Sequence, residues 1–396
     1  MLTWQGETMN VHVAGLATQL RQRLATRLAR TGTLRAPRLR EAVETVPREL
    51  FLGDRVYRRV SGEGGTGWEP ITPVDPQWLD LAHEDRDWVT WLDDGEETAP
   101  NLITGGRPVA TAAQPGLTVH MLESLRAGEG HKVLEIGTGM GYSTALLCEL
   151  VGSHLVTTVE VDPNVAGRAE QALHRAGYEP TILVRDGLTG HAEGAPYDRI
   201  LAKFPVRRIP SLWLEQTRRG GVLVAVLSGW LGGPALTRIT LTGPDTAEGE
   251  FFSDALPYLA ARPQISPPPI GELPSRDTGE QRDAQYGAEV FDDPMTRWLV
   301  QLAAPNARHV ATEGPAAGHC LVDQETGSWA WLIREDDRWI VRQGGDQRLW
   351  DRVEETLTLW RRAGRPGQHV FRLRITRGEQ LVFLPGLPSM RWALPK

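Results

Sequence analysis

Residues 131–147 read HKVLEIGTGMGYSTALL: an apolar run, then Gly137-Thr138-Gly139-Met140-Gly141, then a helix-like stretch. Glycine at every second position between a strand and a helix lets the backbone approach a bound molecule more closely than side chains would allow. Dinucleotide folds use G-x-G-x-x-G and set a pyrophosphate on the helix N-terminus. Here the third glycine comes one position early. That spacing suits a cofactor without phosphates, which needs close backbone approach more than an anion-binding helix end.

Acidic residues recur in register with this loop. Glu135 lies just before it; Glu160, followed by Val161, ends the next strand; Asp186-Gly187 sits in RDG after the third. Glu160 is placed to accept bonds from two ribose hydroxyls, and Asp186 from an adenine amino group, on the side where open α/β sheets bind ligands. A zwitterionic tail, a sulfonium and an adenosine answer this description, so the cofactor read from the sequence is S-adenosylmethionine (SAM). Its candidate contacts are Glu135, Gly137, Thr138, Gly139, Gly141, Glu160, Val161, Asp186 and Gly187.

The elements that must position these residues alternate. HKVLEI, LVTTVE, TILVR, YDRILA and GVLVAVL are short apolar runs, and STALLCELV, VAGRAEQALHRAG and SLWLEQTRRG between them read as helices. Such alternation predicts a parallel, Rossmann-like sheet with helices on both faces. Ahead of it, Leu16, Leu20, Leu24 and Leu28 recur four apart on one helix face. A second helix, PRLREAVETV, ends before Pro47. Through residue 50 there are eight Arg against four Glu, read as a solvated helix surface.

Residues 62–100 reverse the sign, with eleven Asp/Glu and only Arg86 basic, and contain Trp68, Trp78, Trp88 and Trp91. These tryptophans read as anchors of an irregular segment; the alternative is an acidic, aromatic wall for a cationic partner. Beyond residue 243 the stretch ARPQISPPPIGELPSRDTGEQ reads as a linker. After it GSWAWLI, RWIVRQGG, VFRLRITRGEQLVFLPG and MRWAL read as strands and hairpins around one helix, LWDRVEETLTLWRR. The blocks are therefore 1–61, an N-terminal helical segment; 62–110, an acidic insert; 111–243, the cofactor-binding core; 244–280, a linker; and 281–396, an α+β extension.

At 396 residues and 40% hydrophobic content the chain suits two domains. The net charge of −7 argues against a general nucleic-acid binder. Two cysteines, Cys148 and Cys320, form no disulfide framework and fit a reducing cytoplasm. No apolar run reaches the ~20 residues a membrane helix requires, and MLTWQGETMN lacks the marks of a signal peptide, so a cytosolic protein is expected. The ten histidines show no metal-ligand spacing, and Ser143 is read as a helix-opening residue.

Several motifs together resemble protein-L-isoaspartate O-methyltransferases: EAVETVPRELF (41–51), TAAQPGLTVHMLE (111–123), KVLEIGTGMGYSTALL, RDG, APYDRIL and IPSLWLEQTRRGGVLVAVL. The resemblance covers roughly residues 15–228. It implies an α/β SAM-dependent methyltransferase fold, here with an N-terminal helical segment and an α+β C-terminal extension. It also implies methyl transfer to an Asp or isoaspartyl carboxylate of a polypeptide; charge, hydropathy and histidine spacing add the expectation that no nucleic acid, membrane or metal is involved.

The departures bear on the substrate. In the family a TISQP-like segment carries a serine that hydrogen-bonds the reacting carboxylate. Here the segment is Thr111-Ala112-Ala113-Gln114-Pro115, with Ala113 at the serine position, so Thr111, Ala113 and Gln114 are the candidate catalytic positions. After the fourth strand comes Leu201-Ala202-Lys203-Phe204-Pro205; Lys203 is either a solvated charge or a reach toward a substrate carboxylate. His120 is either a packed histidine or a cofactor contact. The acidic insert and the tail read as additions to the compact repair enzymes, the tail being either an edge cap or a recognition wall. GSWAWLI, VRQGGDQRLWDRVEETLTLW and LPSMRWAL resemble an actinobacterial branch linked to ribosomally made, modified peptides such as graspetides and lanthipeptides. That resemblance implies a precursor-peptide substrate taken on to aspartimide or isoaspartate. The alternatives are general isoaspartyl repair or a non-catalytic SAM-binding peptide partner.

Overall fold

A computed structural model of the chain describes residues 11–62, 65–99, 102–252, 270–314 and 317–395. The N-terminal decapeptide and much of the Pro-rich linker thus lie outside the described residues. The chain forms two compact units: Met1–Leu201 with Gln216–Val222, and Ala202–Glu215 with Leu223–Lys396.

In the first unit, α1 (Val11–Arg30) and α2 (Pro37–Thr45) fall where the leucine spacing and Pro37 put them. Leu20, Leu24 and Leu28 are buried, whereas Leu16 is 42% exposed, so the buried stripe is one leucine shorter than expected. A single helical turn, Arg48–Leu52, follows.

The acidic block is an ordered sheet. It comprises β1 (Val56–Gly62), β2 (Gly65–Ile71), α3 (Trp78–Ala82), β3 (Trp88–Asp93), β4 (Glu96–Ala99), β5 (Leu102–Thr104) and β6 (Arg107–Ala112), in the order β4-β5-β2-β1-β3-β6. Pairing is antiparallel, and β1 meets β2 from Val56↔Ile71 to Gly62↔Gly65. Trp78 and Trp88 are fully buried with Leu52, Val56, Ile71 and Met140, as anchors would be. Trp68 donates to the Gly106 carbonyl at 2.9 Å, and the Arg168 guanidinium lies 4.8 Å from the centre of the Trp91 ring.

The cofactor-binding pattern then unfolds as α4 (Pro115–Leu125), β7 (Val133–Ile136), α5 (Tyr142–Val151), β8 (Val156–Glu160), α6 (Pro163–Arg175), β9 (Thr181–Val184) and β10 (Tyr197–Val206). The order is β10-β7-β8-β9, with β7, β8 and β9 parallel. β7 is buried throughout and β8 up to Val159, which is why both read as unbroken apolar runs rather than alternating ones. Asp162 caps α6 by accepting from the Asn164 and Val165 N–H groups, with Pro163 at the first helical position.

β10 and β11 (Thr217–Leu227) each pass from the first unit into the second, with α7 (Ser211–Glu215) between them. The helix expected over SLWLEQTRRG is thus only one turn long. β-Branched Thr217 and the Gly220-Gly221 pair are poor helix formers, and the chain enters a strand there.

The second unit adds β12 (Ala235–Gly243), β13 (Thr246–Phe251), β14 (Glu280–Asp283), α8 (Pro294–Ala303), β15 (Arg308–Thr312), β16 (Gly318–Asp323), β17 (Ser328–Glu335), β18 (Arg338–Gly344), α9 (Leu349–Arg362), β19 (Arg372–Ile375), β20 (Gln380–Phe383) and β21 (Arg391–Ala393). Their strand orders are β21-β20-β19-β13-β12-β11 and β14-β18-β17-β16-β15. β12, β13, β19, β20 and β21 pair antiparallel in succession, so the sheet chemistry is mixed rather than parallel throughout. Among the described residues no helix is long and apolar enough to cross a membrane.

Because Trp88 is buried and its indole N–H donates to the Leu81 carbonyl at 3.1 Å, Trp88→Ala should destabilise the first unit by about 3–5 kcal/mol in denaturant titration. Trp68→Ala, at a half-buried ring, should cost clearly less.

Candidate cofactor and acceptor site

The loop between β7 and α5 is held from below. Gly137, Gly139 and Gly141 have φ of 96°, 57° and 92°, conformations that a side chain would strain. A Cβ on Gly141 would also lie 3.3 Å from Leu173 and 3.4 Å from Phe51. The Gly137 and Thr138 N–H groups donate to the Val159 carbonyl at 2.8 and 3.2 Å, tying the loop to β8.

Glu135 is 0% exposed, and its carboxylate accepts from the hydroxyls of Ser143, Thr144 and, at 2.8 Å, Thr158. Buried Thr138 in turn shares a 2.7 Å hydroxyl–hydroxyl bond with Thr158. The side chains of Glu135 and Thr138, read as cofactor contacts, therefore lie beneath the loop and fix its shape. Ser143, read as capping or opening the helix, lies in the first turn of α5 but does not cap it. Gly141 occupies the cap position without a side-chain bond, and the serine hydroxyl is spent on Glu135.

Glu160 and Asp186 stand at the carboxyl ends of β8 and β9. One Glu160 oxygen accepts the Gly139 N–H at 3.0 Å; the other accepts Val161 N–H at 2.9 Å and Asp162 N–H at 3.3 Å. Val161 is 57% exposed and Gly187 is buried. Asp186 is exposed and accepts the Leu188 N–H at 2.9 Å. The Arg185 N–H donates to the Glu160 carbonyl at 3.0 Å, which joins the two strand ends. A carboxylate oxygen can accept more than one bond, so the Glu160 oxygens, with one and two N–H partners, can also take ligand hydroxyl donors. Two carboxylates at adjoining strand ends repel a pyrophosphate and suit a ligand that brings donors and a positive charge. The cradle therefore fits an adenosyl sulfonium.

Thr111, Ala113 and Gln114, read from the sequence as catalytic positions, come at and just after the end of β6. Thr111 and Ala113 are both exposed, with buried Ala112 between them. β6 pairs with β3 through Val89↔Thr111 and Trp88↔Ala112. The block boundary drawn at residue 110 thus falls inside a strand. Half-buried Gln114 occupies the cap position of α4, and the first turn of that helix is closed by Asp85, whose carboxylate accepts the Gly116 N–H at 2.6 Å. His120 is buried on α4, where its carbonyl accepts the Ser124 hydroxyl at 2.8 Å. Lys203 is half-buried in the part of β10 that belongs to the second unit.

Sequence reasoning missed Arg48 and Phe51 as individual residues. Arg48 is 1% exposed and donates to the carbonyls of Ala82, Arg86 (3.2 Å) and Ala113 (3.2 Å). Phe51, one helical turn later, packs on the Tyr142 ring at 6.0 Å. The spacing in VPR-x-x-F was the available signal: two residues three apart on one turn, one polar and one aromatic. Among the described residues no group of three or more metal-binding side chains occurs.

Comparisons with known proteins bear on this geometry. The family model for protein-L-isoaspartate(D-aspartate) O-methyltransferase matches residues 96–229. A protein-L-isoaspartate O-methyltransferase of Ignicoccus hospitalis is 30% identical over 239 residues, 60% of this chain and 93% of that protein. One of Gloeobacter violaceus is 35% identical over 194 residues, 48% of this chain and 85% of its own length. The chain belongs to the protein-L-isoaspartate O-methyltransferase family. It is a SAM-dependent enzyme, and the activity that goes with the family is esterification of an isoaspartyl carboxylate in a protein.

A solved protein-L-isoaspartate O-methyltransferase also matches in fold, with a TM-score of 0.52 and 21% identity, over 92% of this chain and 99% of that one. The C-terminal elements, read as absent from the repair enzymes, thus have a counterpart in a structure bearing the family's name.

Gly141→Ala should weaken SAM binding at least tenfold by calorimetry, since it adds both a strained φ and a close contact. Glu135→Ala leaves three buried hydroxyls without their acceptor and should lower stability by about 3 kcal/mol or more in denaturant titration.

Proposed function

We propose that Gly137, Gly139 and Gly141 receive the cofactor, that Glu160 and Asp186 accept from its ribose and adenine, and that Thr111, Ala113 and Gln114 border the peptide carboxylate. Glu135 and Thr138 act by holding the loop. The observation that carries this reading is the sharing of a single carboxylate, Glu160, between the Gly139 N–H and the end of β8, at the mouth of the glycine turn.

SAM supplies an electrophilic methyl group on a sulfonium. A peptide carboxylate has a pKa near 4 and is already an ionised nucleophile at neutral pH, so no general base is required. The protein's work is alignment and exclusion of water. With SAM held by the glycine turn, Glu160 and Asp186, its methyl group would pass to one carboxylate oxygen and the S–CH3 electron pair would stay on sulfur. The ester is then attacked by the neighbouring backbone nitrogen, which expels methanol and closes a succinimide without further help.

Within the family activity we read the substrate as a constrained peptide, a modified ribosomal precursor, ahead of generic damaged protein. Ala113 removes the hydroxyl that would hold a plain isoaspartyl carboxylate, a loss of about 1.5–3 kcal/mol of positioning. A substrate already shaped by cross-links needs less holding. The rebuilt Lys203-Phe204-Pro205 segment also supports an altered target. General repair is the second reading, and the fold match of the C-terminal elements favours it.

Mass spectrometry of methyl transfer should separate the two readings, using an isoaspartyl peptide, its aspartyl twin and a cross-linked Asp-containing precursor. Methylation of the precursor at a KM well below that of the plain isoaspartyl peptide, followed by loss of methanol, is the expected result; turnover of the plain isoaspartyl peptide at least as ready as that of the precursor would assign the protein to repair. Ala113→Ser should lower the KM for the isoaspartyl peptide by about tenfold by restoring the hydroxyl.

A further inference from the structure

A buried guanidinium demands partners, and Arg48 takes backbone oxygens from three separated stretches of chain. Its N–H groups hold the carbonyls of Ala82 at the end of α3, Arg86 before β3, and Ala113 on the acceptor segment. Burial pushes its pKa down to about 10, against the opposing pull of Tyr142, Asp85, Asp87 and Glu49, so it remains a cation at neutral pH. Its guanidinium carbon lies 5.8 Å from the centre of the Tyr142 ring, the residue directly after the glycine loop. Phe51, on the same turn, also packs on Tyr142, ring centroids 6.0 Å apart, and approaches Gly141. The adjacent Glu49 is also buried and is held by Arg21 at 3.2 Å and His83 at 3.3 Å, which fixes the turn itself.

We infer that Arg48 is a positioning residue for the peptide acceptor: it clamps the Ala113 carbonyl and thereby sets where the exposed face of Thr111 and Ala113 stands relative to the glycine turn. The inference rests on the reading of Thr111–Gln114 as the acceptor segment. It adds that this segment is held through its backbone, by a charge that never meets the substrate. That arrangement explains how an acceptor strand can lose its serine and keep its place. The side chain at position 113 faces outward, while the carbonyl of the same residue is fixed from inside. A lysine cannot reproduce the clamp, because one ammonium on a flexible stem does not span three carbonyls as a planar fork does.

The test uses the full chain and an isoaspartyl peptide, with peptide KM, kcat and the calorimetric Kd for SAM measured in parallel on Arg48→Lys, Ala113→Ser and Thr111→Val. Arg48→Lys should raise the peptide KM about tenfold while the SAM Kd stays within about twofold, since the cofactor cradle has its own brace in Glu135. Peptide KM and SAM Kd rising together, or kcat/KM falling only as the SAM-binding fraction falls, would mean Arg48 is a structural residue and overturn the inference.

The other two variants separate this from the reading beneath it. If Ala113→Ser and Thr111→Val leave the peptide KM unmoved, the acceptor assignment itself fails. If they shift it and Arg48→Lys does not, only the role of Arg48 fails. Should Arg48→Lys not yield SAM-binding protein, amide exchange on the unaltered chain decides. Residues 107–118 and 82–88 should lose protection together as denaturant rises, and independent exchange of the two would overturn the clamp.

Discussion

A carboxylate with no exposure must have its acceptor capacity filled from within the protein, and Glu135 meets that demand with three hydroxyls from two elements. Ser143 and Thr144 belong to α5, Thr158 to β8. The strand before the glycine loop, the helix after it and the neighbouring strand are thereby tied to one buried group. The loop can adopt three left-handed glycines in five residues because both of its ends are fixed in this way. Thr138 adds a second link to Thr158, so the cradle is shaped from beneath and presents mainly backbone upward.

The acidic block changes meaning once folded. Its charge sets it apart in the sequence, yet β6 is the last strand of its sheet and runs into the Thr111–Gln114 segment. Trp78 and Trp88 anchor that sheet, and Asp85 from the same block closes the first turn of α4. The segment that differs most in composition is therefore the one that supports Thr111 and leads into Ala113 and Gln114. It is less an appendage than their scaffold, and the turn Arg48–Leu52 is the joint between it and the glycine loop.

By itself the sequence determined the local order of elements and the chemistry of the cofactor end. Leucine spacing, proline and the strand–helix alternation located α1, α2, α5, α6 and the strands β7 to β9, because these follow from periodicities that any neighbouring context leaves intact. Glu160 and Asp186 were legible for the same reason, since strand ends can be counted along the chain. The strands GSWAWLI and RWIVRQGG and the helix LWDRVEETLTLWRR were legible too, from apolar alternation and amphipathic spacing.

Tertiary structure alone decided which of these polar residues are held by one another. Nothing local to Glu135 or Thr138 says that their partners are Thr144 and Thr158, on separate elements. Nothing in SLWLEQTRRG overrides its helical spacing except the strand pairing that claims Thr217 onward. Arg48 is the plainest case: its three partners are backbone carbonyls 34, 38 and 65 residues away. A carbonyl has no identity in the sequence, since every residue carries the same one. Only the fold brings one carbonyl rather than another to a buried charge.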